Sequence, residues 1–347
     1  FEKKISDENY EKIMKLGDKS IQPEERLMRI YPEKNLFSHI IGQIDDNNNG
    51  ISGLEKSLDE NLKIFQDPIK LTVDKDIQFL IREELKRFNQ IFNSKGSAAI
   101  LMNVNNGEIL SLVSLPDFDP NKRETISDLN FINRATKGIY EFGSVFKTFT
   151  LAAAFNEEII EPETKYINLP KSISCAGFPI REYDNKIPTN LTAEEILIRS
   201  GNIGSVRIGQ KIGVEKFKDF LTKINVINKI EFDIDEIGIP ISFKWGKCKL
   251  ATTSFGHGIT TTPLQLAKGY AIVTNGGFEV NPTIIKEKSE KLIKYKKRII
   301  RENVSKKINP ILRKIVTTKE GTANLADVKG YEIGGKTGTA EKIVSGT

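Results

Sequence analysis

Of all the serines in this chain, only Ser144 is followed three positions later by a lysine, Lys147, in the run Glu141-Phe142-Gly143-Ser144-Val145-Phe146-Lys147. The run reads as the start of a helix, where positions i and i+3 share a face, so the amine reaches the hydroxyl. The first-turn amides face any charge that develops beside Ser144. A serine hydroxyl is a poor nucleophile until a neighbour takes its proton. Histidine is the usual acceptor, but the chain holds only His39, in an apolar stretch, and His257, in a glycine-flanked turn with no acidic orienter. A Ser-Lys pair is therefore the economical alternative to a Ser-His-Asp triad. Alone it carries little weight, because with 52 Lys plus Arg a solvated helix face is the ordinary reading.

Two further clusters change that weight. Thr192-Ala193-Glu194-Glu195 is a capping-box pattern that opens a short helix through Arg199, and a second helical stretch runs from Ile203 to Lys211. Ser200 and Asn202, in Ser200-Gly201-Asn202, then occupy the tight corner between two helices. The other cluster is Lys336-Thr337-Gly338-Thr339, within Tyr331 to Ala340, which reads as a strand. Its Gly334, Gly335 and Gly338 permit close backbone approach, so an extended peptide is expected along its edge.

The three motifs in this order resemble those of the penicillin-binding proteins and serine β-lactamases. Longer stretches narrow the resemblance to the class B, division-specific peptidoglycan D,D-transpeptidases of the FtsI type. These are Asn133-Arg134-Ala135 through Ser144, Ser254-Phe255-Gly256-His257-Gly258 with Thr262-Pro263-Leu264-Gln265-Leu266-Ala267, and Gly53-Leu54-Glu55-Lys56-Ser57. The resemblance covers nearly the whole chain, with two departures. Phe142 stands where a proline usually precedes Gly-Ser, and Gly201 where the middle motif usually has serine or aspartate. Neither removes a side chain that the chemistry needs.

The resemblance implies acyl transfer. Ser144 attacks a carbonyl, and Lys147 acts as general base in its neutral form, which needs desolvation and a nearby positive charge such as Lys336. Ser200 relays a proton, and Asn202 orients Lys147 and bonds a substrate amide. The amides of Ser144 and Thr339 form the oxyanion hole, each donor contributing about 3 kcal/mol. Lys336, Thr337, Gly338 and Thr339 hold a terminal carboxylate. The implied substrate is a stem peptide ending in D-Ala-D-Ala. Acylation expels the terminal D-Ala, and the amine of a neighbouring stem takes the acyl group; a β-lactam mimics the donor. No glutamate in the sequence is an evident deacylating base, which favours a transpeptidase over a β-lactamase. No cofactor or metal is called for. Implied partners are a membrane glycan polymerase and divisome proteins.

At 347 residues and 38 % hydrophobic content the chain suits one sizeable domain plus an appendage. The net charge of +6 carries little information in a sequence so rich in Lys, Asn and Ile. The basic run from Lys286 to Lys307 has only Tyr295 as an interleaved aromatic and reads as a solvated face or an insertion, not a nucleic-acid site. Cys175 and Cys248 are too few for a disulfide scaffold or a zinc site, and a single bridge between them needs an oxidising compartment. No apolar run approaches the ~18 residues that would span a bilayer. The chain begins at Phe1, so it reads as a fragment, and by resemblance a cytoplasmic tail and one inner-membrane helix precede it, leaving this part in the periplasm.

The resemblance makes residues 1–69 the C-terminal part of the family's pedestal (dimerisation-type) domain, with a turn at Asp45-Asp46-Asn47-Asn48-Asn49-Gly50. Residues 70–347 become an α+β transpeptidase domain: an antiparallel sheet flanked by helices, with an all-helical lobe. Asp74 caps a helix with Ile77, Leu80, Ile81, Leu85, Phe88 and Ile91 on one face. Ala98–Val104 and Glu108–Val113 flank Asn105-Asn106-Gly107 as a hairpin, and a helix runs from Thr262-Pro263 to Asn275-Gly276-Gly277. In the family two strands and a helix follow the Lys-Thr-Gly strand; a chain ending at Thr347 lacks them, so low stability and weak activity are expected of it.

Rival readings remain within the superfamily: an elongation-type transpeptidase, a β-lactamase or a penicillin-sensing domain, besides a non-catalytic scaffold. A remote one lies outside it. Gly330-x-x-x-x-Gly335-Lys336-Thr337 matches the P-loop pattern, but that motif needs a buried strand before Gly330 and a helix from Lys336.

Overall fold

Asp74 opens the first long helix, α1 (Lys75–Ile91), by accepting from the amides of Asp76 and Ile77, both at 3.0 Å. This satisfies two of the donors that a helix start leaves unpaired. The computed structural model to which this helix belongs describes residues 5, 7–24, 28–64, 67–122, 128–286 and 297–341. It divides into two units, Phe1–Pro32 and Glu33–Thr347. The first holds the helix Asp7–Met14, with an i,i+4 ion pair between Lys12 and Glu8 at 2.6 Å. All else described below lies in the second.

The hairpin follows as β1 (Ser97–Met102) and β2 (Ile109–Leu115), antiparallel, with Ser97 opposite Leu115 and a register shift after Leu101. Helix α1 lies against both strands. Its expected apolar stripe is only partly used. Ile77, Ile81 and Leu85 are half-buried, whereas Leu80, Phe88 and Ile91 are exposed. The fully buried contact is polar: Gln78 accepts from Ser111 Oγ at 2.7 Å and Leu112 N at 2.9 Å, and donates to the Leu112 carbonyl at 2.9 Å. A glutamine side chain that pairs with a strand's backbone docks a helix without needing a full apolar face.

Helix α2 (Phe146–Asn156) shows the opposite pattern. Its sequence is mostly apolar with no continuous polar face, and every residue from Phe146 to Phe155, Lys147, Thr148 and Thr150 included, is buried. A helix with no polar face belongs inside a core. Around it pack α3 (Ala193–Ile198), α4 (Asn202–Ile212), α5 (Val214–Lys223) and, later in the chain, α8 (Glu302–Thr317). Between α2 and α3 lies a small antiparallel hairpin, β3 (Ser172–Cys175) and β4 (Phe178–Arg181). Helix α6 (Lys247–Thr253) leans on α4. Helix α7 (Pro263–Thr274) has the expected proline in its first turn, and Thr262 and Gln265 close a capping box that the sequence reading did not single out. A second apolar cluster joins Ile40 and Leu54 to Ile109, Leu112, Leu264 and Ile284, so residues from the 33–64 stretch share a core with the hairpin and α7.

The segment Tyr331–Ala340 is not the expected strand. It is extended, but it joins no ladder among the described residues. Strand pairing needs a neighbour, and this segment lies along α8 instead: Gly335 N donates to the Leu312 carbonyl at 3.1 Å, and Arg313 Nη1 to the Ile333 carbonyl at 2.8 Å. No helix starts at Lys336 either, so the P-loop reading fails. Residues 287–296 of the basic run lie outside the described residues. Beyond them Arg301 pairs with Glu158 and Lys306 with Glu302 on the surface, whereas Lys307, which pairs with Glu161, is only 13 % exposed and lies over the Phe155 ring.

Cys175 and Cys248 form a disulfide with Cα atoms 5.5 Å apart, tying the β3–β4 hairpin to α6. The bridge closes a 73-residue loop, long enough to remove substantial entropy from the unfolded chain. Serine at both positions is expected to lower the unfolding free energy by about 3 kcal/mol, read as a lower denaturant midpoint with a steeper slope, because the unfolded chain without the cross-link exposes more surface.

Candidate active site

Ser144 stands just before α2 rather than inside it. Gly143–Val145 form a 3₁₀ turn, and the α-helix starts at Phe146. Residues i and i+3 eclipse in such a turn, which keeps Ser144 and Lys147 on one side. The turn depends on Gly143, whose φ is +56° and whose missing Cβ would lie 2.1 Å from the Thr339 carbonyl. Two other glycines close on the same point. A Cβ on Gly256 would meet the Gly143 carbonyl at 1.8 Å, and one on Gly338 the Phe142 carbonyl at 2.3 Å. Backbone packed this tightly brings the Ser144 turn, the Ser254–Gly258 turn and the Lys-Thr-Gly segment into one place. The glycine at 338 thus serves this approach and not the edge of a strand. Phe142, the departure from proline, packs edge-on against Tyr140.

Lys147 is buried, 1 % exposed, and its Nζ reaches across to the middle motif. It lies 2.5 Å from the Ser200 carbonyl, 2.6 Å from Asn202 Oδ1 and 3.2 Å from Ser200 Oγ. Lys336 Nζ donates to the same Ser200 Oγ at 2.9 Å. One hydroxyl therefore bridges two amines. Burial pushes the Lys147 amine well below the ordinary lysine range, the charge of Lys336 pushes it further down, and Glu182 opposes both. Burial draws Lys336 down to about 8. Of the two lysines, Lys147 is the one whose surroundings favour the neutral amine more strongly.

Ser200 owes its place to the end of α3. Gly201 N donates to the Ile196 carbonyl at 2.8 Å and Ser200 N to the Leu197 carbonyl at 3.1 Å, the two bonds of a Schellman ending. Ser200 occupies the left-handed position with φ +57°, where glycine is usual. A non-glycine residue there costs about 1 kcal/mol or more, which points to a demand for the side chain. At Gly201 a Cβ would meet nothing closer than 3.7 Å, so the second departure leaves the corner unchanged.

The structure thus brings Lys147, Ser200, Asn202 and Lys336 into one hydrogen-bonded cluster and sets Gly338 and Thr339 against the Ser144 turn. Ser144 Oγ makes no hydrogen bond among the described residues, and the amides of Ser144 and Thr339 donate to no described acceptor. Thr337 Oγ1 lies 2.8 Å from Thr322 Oγ1. Neither histidine takes part: His39 is buried with Nε2 3.2 Å from the Pro116 carbonyl and is pushed down to about 4 by burial, and the His257 ring lies tilted against Phe255. Two residues escaped the sequence reading. Thr322 carries no motif signal. Glu182 lies far upstream in the chain, yet it accepts from Asn202 N at 2.6 Å and Ile203 N at 2.9 Å. Both its oxygens are engaged by backbone amides, so it is not free to act as the deacylating base that was absent from the sequence.

A family model described as the penicillin binding protein transpeptidase domain matches residues 97–347. The chain belongs to this family. A probable peptidoglycan D,D-transpeptidase FtsI of Caulobacter vibrioides is 31 % identical over 337 residues, covering 95 % of this chain and 56 % of the relative. Stage V sporulation protein D of Bacillus subtilis is 32 % identical over 385 residues, covering 99 % and 59 %. The chain therefore spans a little over half the length of these relatives. Penicillin-binding protein 3 of Mycobacterium tuberculosis shares the fold, with a TM-score of 0.79 at 24 % identity over 92 % of this chain and 77 % of that one. That protein is also seen complexed with aztreonam and with ampicillin. The transpeptidase fold expected from the motifs is the fold of this chain. Among the described residues no helix is long and apolar enough to cross a membrane.

Proposed function

We propose that this chain carries the acyl-transfer site of a serine-type peptidoglycan D,D-transpeptidase and is a β-lactam target. The observation that carries the reading is the Lys147–Ser200–Lys336 bridge, with Ser144 in the turn that leads directly into the helix of Lys147. When Lys147 is neutral, its two N–H groups serve the Ser200 carbonyl and Asn202 Oδ1, and its lone pair faces Ser200 Oγ, a contact it gives up as it takes the Ser144 proton. The Ser144 oxygen attacks the carbonyl of the penultimate D-Ala, and the oxyanion develops against the amides of Ser144 and Thr339. The collapsing intermediate expels terminal D-Ala, whose nitrogen takes a proton through Ser200. Lys336, Thr337 and Thr339 receive the terminal carboxylate. The amine of a second stem peptide then displaces Ser144 and restores the hydroxyl.

The septal role, the glycan polymerase and divisome partners, the inner-membrane anchor with a periplasmic site, and the pedestal assignment of residues 1–69 belong to this proposal. They rest on likeness to relatives named FtsI and PenA. The relative named for sporulation supports a second assignment, the same chemistry at a different stage of wall synthesis. A fluorescent penicillin incubated with the chain is expected to give one stoichiometric adduct on the peptide containing Ser144, located by mass spectrometry. Rapid repeated hydrolysis of nitrocefin, or an adduct on another residue, contradicts the reading.

A further inference from the structure

We propose that Glu182 is a positioning residue: held on the disulfide-pinned β3–β4 hairpin, it clamps the first turn of α4 so that Asn202 keeps the Lys147 amine in place. The inference rests on the acyl-transfer reading above and extends it to a residue outside the three motifs.

Three observations carry it. The hairpin is fixed at its tip, where Cys175 is bridged to Cys248 at the start of α6. It is fixed again where it leaves β4, because Glu182 N donates to the Lys171 carbonyl and Asn202 Nδ2 to the Arg181 carbonyl, at 3.4 and 2.8 Å. From that frame the Glu182 carboxylate takes both leading amides of α4, at 2.6 and 2.9 Å. Those amides have no partner within the helix, and Gly201, at the cap position, has no side chain to supply one. Glu182 fills the role the cap residue leaves open. Asn202 is consequently held from both sides: its N–H by Glu182 and its Nδ2 by the Arg181 carbonyl, which leaves Oδ1 facing Lys147 Nζ at 2.6 Å.

The carboxylate has a second effect. The charged groups that act on Lys147 are Lys336, from the C-terminal segment, and Glu182, from the hairpin, and they act in opposite directions. Removing the Glu182 charge leaves Lys336 unopposed and lowers the proton affinity of Lys147 further.

The test uses the whole chain with its disulfide intact and compares Glu182→Gln and Glu182→Ala with the wild type. Amide hydrogen exchange over the peptide containing Asn202 and Ile203 is expected to quicken in Glu182→Ala. In Glu182→Gln the Lys147 resonance, followed by NMR of ¹³Cε-labelled lysine and assigned with Lys147→Arg, is expected to titrate at lower pH. The acid limb of penicillin acylation should move with it, while the plateau rate falls about tenfold. A merely structural role lowers the plateau and leaves both titrations where they were. Unchanged exchange in Glu182→Ala, or an unmoved Lys147 titration in Glu182→Gln, overturns the proposal. Failure of the wild type to acylate, with the exchange and titration changes present, sinks the acyl-transfer reading and leaves the positioning role standing.

Discussion

Lys147→Ala is expected to lower the second-order rate of β-lactam acylation by about 10³-fold, within the range that a general base contributes. The argument is geometric before it is electrostatic. Lys147 lies in the helix that directly follows the 3₁₀ turn holding Ser144, Lys336 is held by Ser200 Oγ and the Thr337 carbonyl, and both histidines are engaged elsewhere. Its pH dependence follows from its surroundings. A base must be neutral, so the wild-type rate rises with pH as Lys147 loses its proton, at a pH far below the ordinary lysine range. Lys336 must stay charged to receive a carboxylate, so the rate falls again as pH passes about 8. The expected profile of acylation is a bell, and its acid limb disappears in Lys147→Ala. Lys147→Met separates this effect from unfolding. It keeps the volume of the side chain, but it leaves the Ser200 carbonyl and Asn202 Oδ1 without the amine, so its melting temperature is measured beside its acylation rate. A variant that melts like the wild type yet acylates less than tenfold more slowly would show that another group takes the proton.

The parts of this molecule that were legible in the sequence are those whose cause is local. The capping box at Thr192, the Thr262-Pro263 helix start, the Asp74 cap and the hairpin turn at Asn105-Gly107 each depend on a few neighbouring residues, and each forms where expected. The motif residues were legible for another reason: Ser144, Ser200 and Lys336 keep a fixed order in the chain whatever the fold does between them. Helix α1 shows where such reasoning stops. Its apolar stripe is local, but the use made of it depends on a strand whose backbone found Gln78 first. The Lys336 segment shows the same limit, since strand formation is a property of a pair of segments and its observed neighbour is a helix. Glu182 was invisible because its role is created by the return of a hairpin to a helix start. Nothing in the residues around it distinguishes it from the other solvated glutamates.

Gly338→Ala is expected to lower acylation by about 10²-fold, the effect of displacing reacting groups by roughly 1 Å, while leaving the melting temperature nearly unchanged. A Cβ at this position would sit 2.3 Å from the Phe142 carbonyl, 2.9 Å from Val145 Cγ1 and 3.1 Å from Val145 N. Two of those atoms are backbone of the turn that presents Ser144, and that turn is itself wedged against Gly256. It has nowhere to retreat. The exposed segment must move instead, and both ends of the motif move with it: Lys336 is drawn from Ser200 Oγ, and Thr339 from Gly143. The losses therefore reach the charge that keeps Lys147 neutral and the amide that faces the developing oxyanion. The segment is half-exposed and holds to α8 through few contacts, so little folding energy is at stake. Gly335→Ala is the matched control, because a Cβ there meets nothing within 4 Å. Equal acylation by the two alanine variants would show that the Lys-Thr-Gly segment does not need this contact to complete the site.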